Sequence, residues 1–546
     1  MLYSKLLLII LSALFLLTGC ATDPVDNPRL EATVASSSAT APGPQATATG
    51  TPTSKPTPGR SRDAATKQPT GTDPDLKAGF PIGLGFDLGP TYKTSTLIGN
   101  LDADPQLEVL VSQKVPNVAA RDVWAYNVDG SVVKGWPVRG AHWVHAALGR
   151  LTSSPDIFSP VLPALTGLEV VERRGQSTAV FTYSLAAYSA SAAPLPGWPV
   201  GSQPGDGNST PYGNPGLADL DADGRDEVII RGGAGIEIYG VDGKSLLSSP
   251  IPADNFALGD LNSDKRAEIV GDGVSALVAA FGADGRPLPG FVPPARPTPL
   301  SSVGNYPVIG DVDGDGVPEI VVVFSVPPGP DVDATVGFPF RIFVISNTGA
   351  IKREITFVAM GQVSGFNLVL GDLDCDGGAE IILQTAYALH AWKGDGSAMP
   401  GWPQVITSPK DGLSGGMFGS SPPVVGDIDG DFSPEVVTIV ARGGGYSDTD
   451  LRAYSHDGQM LPRFPKLLYL GVTASPAIAD IDADGRNEIV VASAHMHTFD
   501  QPTPPDSIWA FDLKSASPYG NVQWGQYMGG PQHAGYYDAR VQGCKR

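Results

Sequence analysis

The chain has 546 residues, of which 57 are acidic and 36 basic, for a formal net charge of −21. Such acidity with no basic stripe excludes a nucleic-acid-binding surface, and three cysteines exclude a disulfide-built scaffold. With Gly at 67 and Pro at 51 residues, nearly double the usual share, the composition is that of a turn-dense all-β protein.

Residues 1–20 read as an export address. Lys5 supplies a positive start, and Leu6 to Leu17 form an apolar run too short to span a bilayer comfortably. Leu17-Thr18-Gly19-Cys20 resembles the lipobox of bacterial lipoproteins. The resemblance implies cleavage before Cys20, lipid on its thiol and a membrane partner through that lipid. Ala21, rather than Asp, follows the cysteine, which fits transfer to an outer membrane or cell surface. Residues 21–77 are Ala, Thr, Ser and Pro with almost no large apolar side chain, so they read as a disordered tether. As a flexible coil its ends would average roughly 40 Å apart.

From residue 78 to 538 one acidic phrase recurs. Oxygen side chains stand at loop positions 1, 3, 5 and 9 between two apolar runs. The sets are Asn100, Asp102, Asp104 and Glu108; Asp219, Asp221, Asp223 and Glu227; Asp260, Asn262, Asp264 and Glu268; and Asp311, Asp313, Asp315 and Glu319. Three more follow: Asp372, Asp374, Asp376 and Glu380; Asp427, Asp429, Asp431 and Glu435; and Asp480, Asp482, Asp484 and Glu488. Alternating carboxylates in a tight loop point inward together, a glycine at position 6 permits positive φ, and a carbonyl at position 7 adds an oxygen. That donor set suits Ca2+, with Mg2+ second; no recurring His or Cys speaks for zinc. The first loop, with Pro105 in place of glycine, and the third, with Asn262 and no glycine, are expected to be the weakest. These positions carry 26 of the 57 acids, so the charge is concentrated in loops whose carboxylates repel one another without an ion.

Each phrase continues into a third and a fourth strand, as in WAYNVDGSVVKGWPV from Trp124 and LRAYSHDGQMLPRFP from Leu451. Four short strands make one antiparallel blade, and spacings of about 40 to 60 residues fit a β-propeller. SPVLPALTGLEVVE from Ser159 reads as a degenerate copy whose two strands remain without the acids. GFPI from Gly79 reads as a stray fourth strand that completes the last blade and removes both sheet edges. Eight blades are expected, or seven if the degenerate segment is an insertion. Trp136, Trp198 and Trp402, with Phe80, Phe291 and Phe464 in the same slot, are expected to pack between blades. Residues 539–546 are a tail, and pairing of its Cys544 with Cys375 is left open by the spacing.

These repeats resemble the FG-GAP (VCBS-type) repeats of integrin α-subunit propellers and bacterial surface proteins. Phe418-Gly419 ahead of Asp427 carries the Phe-Gly opening, and Tyr212-Gly213 is a near match, although most copies lack it. The resemblance implies a propeller with calcium on one face and ligands on the other; nothing else of the integrins carries over. On that other face Tyr92, Trp143, Tyr212, Tyr306, Phe366 and Phe418 precede first strands and are expected to ring the central channel, as ligand-stacking aromatics or as its plug. The function expected is a surface-tethered binding or adhesion module for an extracellular or periplasmic glycan or protein. The alternatives are a propeller-type polysaccharide lyase or other carbohydrate-active enzyme, with His142 and His145 or His495 and His497 as candidate reactive pairs, and a scaffold for envelope assembly or uptake. His533 in PQHAGYY reads as terminal packing.

Overall fold

The computed structural model describes residues 73–544 except 85–95, 115–120, 142–145, 174–175, 206–211, 274, 303–305, 328–336, 360–362, 407–420, 443–447, 469–474, 494–505, 515–520, 539–541 and 543. The chain divides into two compact units, residues 1–66 with 170–179 and residues 67–169 with 180–546. All sites discussed below belong to the second.

The described fold is all-β, built from mainly antiparallel sheets of three to eight strands, with Tyr536–Tyr537 parallel to Val308–Gly310. In each acidic repeat a first strand of a few residues runs into the loop, and a second strand opens on the loop's glutamate. Leu97–Gly99 pairs with Glu108–Lys114, and then come Arg121–Tyr126 and Val138–Ala141. Val424–Gly426, Glu435–Arg442, Asp448–Tyr454 and Lys466–Leu468 repeat the plan. The second strands are runs such as EVVTIV and EIVVVF, buried on both faces because each sheet is sandwiched between two others. β-Branched residues suit such a pleated surface.

The last sheet joins Ala477–Ala479, Glu488–Ser493 and Ser507–Phe511 to the N-terminal strand Ile82–Gly83, with Ile82 opposite Ile508. The stray GFPI strand therefore completes the last sheet. Its anchorage begins further upstream, within the stretch read as tether. The Lys77 N–H donates to the Ala510 carbonyl at 3.0 Å, and Lys466 Nζ lies 2.5 Å from Asp75 and 3.0 Å from Asp73.

First strands of successive units pack side by side in chain order, from Ala147–Gly149 to Ala477–Ala479, and the last of them packs on Leu97–Gly99. Apolar clusters lie between neighbouring sheets: Ile229, Ile238, Leu258 and Ile269 join one pair. Ile82, Ile98, Val109, Ala477 and Ile508 join the last sheet to the first. Burying each Ile, Leu or Val side chain among these contributes about 1.5–3 kcal/mol. The opening glycine of the phrase has a packing reason. A Cβ on Gly99 would meet Leu148 Cδ1 at 2.5 Å, and one on Gly149 would meet Leu217 Cδ2 at 2.2 Å.

The Trp slot packs as expected. The indole Nε1 of Trp136, Trp198 and Trp402 donates to the carbonyls of Ala190, Val241 and His456 in the following repeat, at 2.8, 3.0 and 2.9 Å.

The degenerate copy departs from its reading. Ser159–Arg173 is one long strand, not two, and the copy's first strand is Ala147–Gly149. Its loop therefore opens at Arg150, whose guanidinium lies 3.1 Å from Asp226 of the next loop.

The centre is filled by the C-terminal segment. Residues 521–537 give and take hydrogen bonds with the first strand of every unit. Ile478, Leu148, Leu217, Leu258 and Ile309 donate their N–H groups to the carbonyls of Gly525, Pro531, Gln532, Ala534 and Gly535, at 2.7–2.9 Å. Gln526 brackets Ile98, accepting its N–H at 2.9 Å and donating to its carbonyl at 2.8 Å. Gln523 accepts from the Asp372 N–H at 2.7 Å, and Val522–Trp524 pairs with Val424–Gly426. A disulfide between Cys544 and Cys375 holds the end of the chain.

Candidate metal centres and the opposite face

The loops share one internal design. The position-9 glutamate uses Oε2 to accept the N–H of position 2, which holds both ends of the loop together. The partners are Leu101 (2.6 Å), Leu220 (2.9 Å), Leu261 (2.8 Å), Val312 (3.1 Å), Leu373 (2.7 Å), Ile428 (2.9 Å) and Ile481 (3.0 Å). In six loops the position-1 carboxylate accepts the N–H of position 6, from Gly224, Lys265, Gly316, Gly377, Phe432 and Gly485 at 2.7–3.3 Å. Each of these six residues has positive φ, including the non-glycines Lys265 (71°) and Phe432 (73°). The third loop therefore adopts the common form despite lacking glycine. The first does not, because Pro105 has no N–H to give; Asn100 there donates Nδ2 to the Asp104 carbonyl at 3.1 Å.

This design brings the expected oxygens together. One carboxylate oxygen each from Asp102, Asp104 and Glu108 lies within 4.8 Å of the others. So do those of Asp219, Asp221 and Glu227, of Asp311, Asp313 and Asp315, of Asp372, Asp374 and Glu380, and of Asp427, Asp429 and Glu435. Glu108 Oε1 is buried there without a hydrogen-bond partner, which leaves a lone pair aimed at the cluster. All-oxygen donors plus an orphaned buried carboxylate oxygen fit a hard cation.

Burial, reinforced by the neighbouring aspartates, pushes the glutamate carboxyls up. Glu108, Glu227 and Glu268 rise to about 7, Glu380 to about 8 and Glu435 to about 9. Glu319 and Glu488 are raised to about 7 by burial against the opposing pull of Lys352 and Lys77. A cation at the cluster would reverse these shifts by favouring the charged form.

The loops are also stitched to one another. Ala267 donates its N–H to the Asp219 carbonyl at 3.3 Å, Ala379 to Asp311 at 2.8 Å, and Leu107 to Ile481 at 3.0 Å. They form one face of the ring.

At the opposite ends of the first strands lies a pocket of about 260 Å3. Asn214, Arg231, Asp254, Asn255, Phe256 and Tyr306 line it, with His533 and Met528 from the C-terminal segment. Arg231 Nε is 3.2 Å from Asp254, and Asp272 accepts the N–H groups of Asp254 and Asn255 at 2.8 and 3.1 Å. Asn214 Nδ2 donates to the Tyr527 hydroxyl at 3.0 Å, and Tyr306 hydrogen-bonds the same tyrosine. His533 is buried edge-on against Tyr527, and burial lowers its imidazole to about 3, so it stays neutral as a packing group.

Among the expected ligand-stacking aromatics, Tyr306 borders this pocket. Tyr212 is a correction: it is 2% exposed, in a core with Trp198 and Tyr239, and offers no stacking face. Phe366 lies in the strand Val363–Gly371, and only its backbone is described. Tyr92, Trp143, Phe418, the two histidine pairs and Cys20 lie outside the described residues. Among the described residues, the occupant of the centre is the C-terminal segment. Sequence reasoning missed that role, because the segment carries no repeat signal beyond its PQHAGYY motif.

No family model matches this chain, and no curated protein matches it. Solved structures do. The Vibrio cholerae biofilm matrix protein Bap1 aligns with a TM-score of 0.52 over 83% of this chain and 92% of its own, at 11% identity. The Bacillus licheniformis rhamnogalacturonan lyase PL11 aligns with a TM-score of 0.50 over 80% and 76%, at 15% identity. The likeness is one of fold. It makes the chain a β-propeller-like all-β protein.

Proposed function

We propose that the chain is an exported, lipid-anchored propeller of eight blades, held rigid by calcium at its acidic loops, that binds a glycan on the face opposite them. The observation that carries the binding reading is the pocket at Tyr306. It sets planar polar groups, from Arg231, Asp254, Asn255 and Asn214, beside the ring of Tyr306. Vicinal hydroxyls take paired hydrogen bonds from such groups while the apolar face of a sugar packs on a ring. The groups are held by Asp272 and Tyr527 behind them, so little ordering is needed on binding. The fold neighbours support the same direction, one being by name a biofilm matrix protein and the other a lyase of rhamnogalacturonan. Eight blades are supported by the eight first strands that the C-terminal segment touches.

The test is a polysaccharide panel in calcium, with polymer retention and product size read on the same samples. Retention of intact polymer, weakened roughly tenfold (about 1.4 kcal/mol) by Tyr306→Ala and by Arg231→Ala, supports the reading. Shortened, unsaturated products make the protein a lyase and move attention to the histidine pairs. Neither result rejects glycans in favour of a protein or envelope partner. A melting temperature unmoved by chelation removes the calcium.

A further inference from the structure

Three of the seven acidic loops already hold a cation that belongs to the chain. Lys352 Nζ sits 2.9 Å from Glu319 Oε1 and 3.3 Å from Asp315, and also contacts Asp313. Lys393 Nζ sits 2.5 Å from Asp374 and 2.8 Å from Asp376. Lys77 Nζ sits 2.5 Å from Asp482 and 2.9 Å from Glu488 Oε1, with the lysine side chain 9% exposed and that of Glu488 fully buried. In each case the ammonium touches carboxylates that the loop design would turn toward a metal ion.

We infer that these lysines are tethered counter-ions that stand in for calcium in the loops opened by Asp311, Asp372 and Asp480. The chain then takes calcium only at the four loops opened by Asn100, Asp219, Asp260 and Asp427. The inference rests on the calcium reading above and narrows it.

Geometry supports exclusion rather than sharing. Calcium would sit at 2.3–2.6 Å from the oxygens that the ammonium contacts. Two cations a few ångströms apart repel by several kcal/mol in such a site. Lys393 also arises from a position that is uncharged in other sheets. Lys393 closes its turn by donating its N–H to the Ser397 carbonyl, as Asn127, Gly240, Gly282 and Ser455 do in other sheets. None of those residues carries a charge. Among the four remaining loops, the described residues show no lysine on the cluster; Arg225 contacts one carboxylate, Asp223, whereas each lysine bridges at least two. The degenerate copy shows the same exchange carried further, with Arg150 standing where the other loops open on an acid or amide.

The experiment counts calcium per chain by equilibrium dialysis and atomic emission, on the full chain purified in detergent. The variants are Lys352→Met, Lys393→Met and, as a control, the exposed Lys134→Met. The expected counts are four in the wild type and control and five in each of the first two variants. Each of those two also gains a larger rise in melting temperature on calcium addition. Seven ions in the wild type overturn this inference and leave the calcium reading standing, as do four in every variant. Zero ions in every protein overturn both. Lys77 is left out of the count because its buried pair also anchors the N-terminal strand, so its loss would disturb folding.

Discussion

Glu435 gives a sharp test of how the acidic loops work. It is 1% exposed, its Oε2 accepts the Ile428 N–H at 2.9 Å, and burial beside Asp427, Asp429 and Asp431 raises its carboxyl to about 9 from an ordinary 4.5. A carboxyl that binds its proton more tightly when folded contributes full stability below pH 4.5 and loses it as pH rises toward 9. At pH 7 the calcium-free protein has climbed 2.5 units into that window, a loss of about 3 kcal/mol at 1.36 kcal/mol per unit. Glu435→Gln keeps the acceptor for Ile428 and presents an amide donor to the aspartates, with no proton to lose. In chelator at pH 7 the variant is therefore expected to be more stable than the wild type, by up to about 3 kcal/mol. In calcium the order narrows or inverts, because the variant has lost a charged ligand while the wild type gains about 1.4 kcal/mol at tenfold over Kd. Urea unfolding at pH 5, 7 and 9, with chelator and with calcium, measures both. A variant less stable than the wild type in chelator at pH 7, or one with an undiminished calcium response, would refute the reasoning.

Two further outcomes follow from the fold. Cys544→Ser removes a cross-link that closes a loop of 169 residues, worth at most about 5 kcal/mol by chain entropy; a fall in melting temperature matched by thiol reduction of the wild type checks it. Gly149→Ala places a methyl 2.2 Å from Leu217 Cδ2 between two first strands and is expected to cost about 1–3 kcal/mol in urea unfolding, whereas Gly224→Ala, with open space at its Cβ, strains only its own backbone.

The parts of this molecule that repeat could be read from its sequence. Seven spacings of acids fixed the loop positions, and six of those loops share a backbone form that Lys265 and Phe432 reach without glycine. The closing strand at Ile82 was visible because GFPI copies the fourth-strand phrase. The degenerate copy misled because its loop, opening at Arg150, has none of the acids that mark where the first strand ends in the other copies. The C-terminal segment was hidden for a different reason. It is recognised mainly through backbone N–H and carbonyl groups, which leave no mark on side-chain pattern. The lysines on the loops were equally silent: Lys77 and Glu488 are 411 residues apart in sequence and meet only once the ring has closed.

A segment that gives each inner strand its own partner turns a repetitive ring into a numbered one. In an ordinary repeat array a unit can be duplicated or deleted, because each touches only its neighbours. Here the stretch from Asn521 to Tyr537 works as an axle with one fitting per spoke, and Gln526 fits Ile98 alone. Adding or losing a spoke would leave a strand without its fitting or a fitting without its strand. The number of repeats is thereby frozen, and the copies are free to diverge in place, as the second has done.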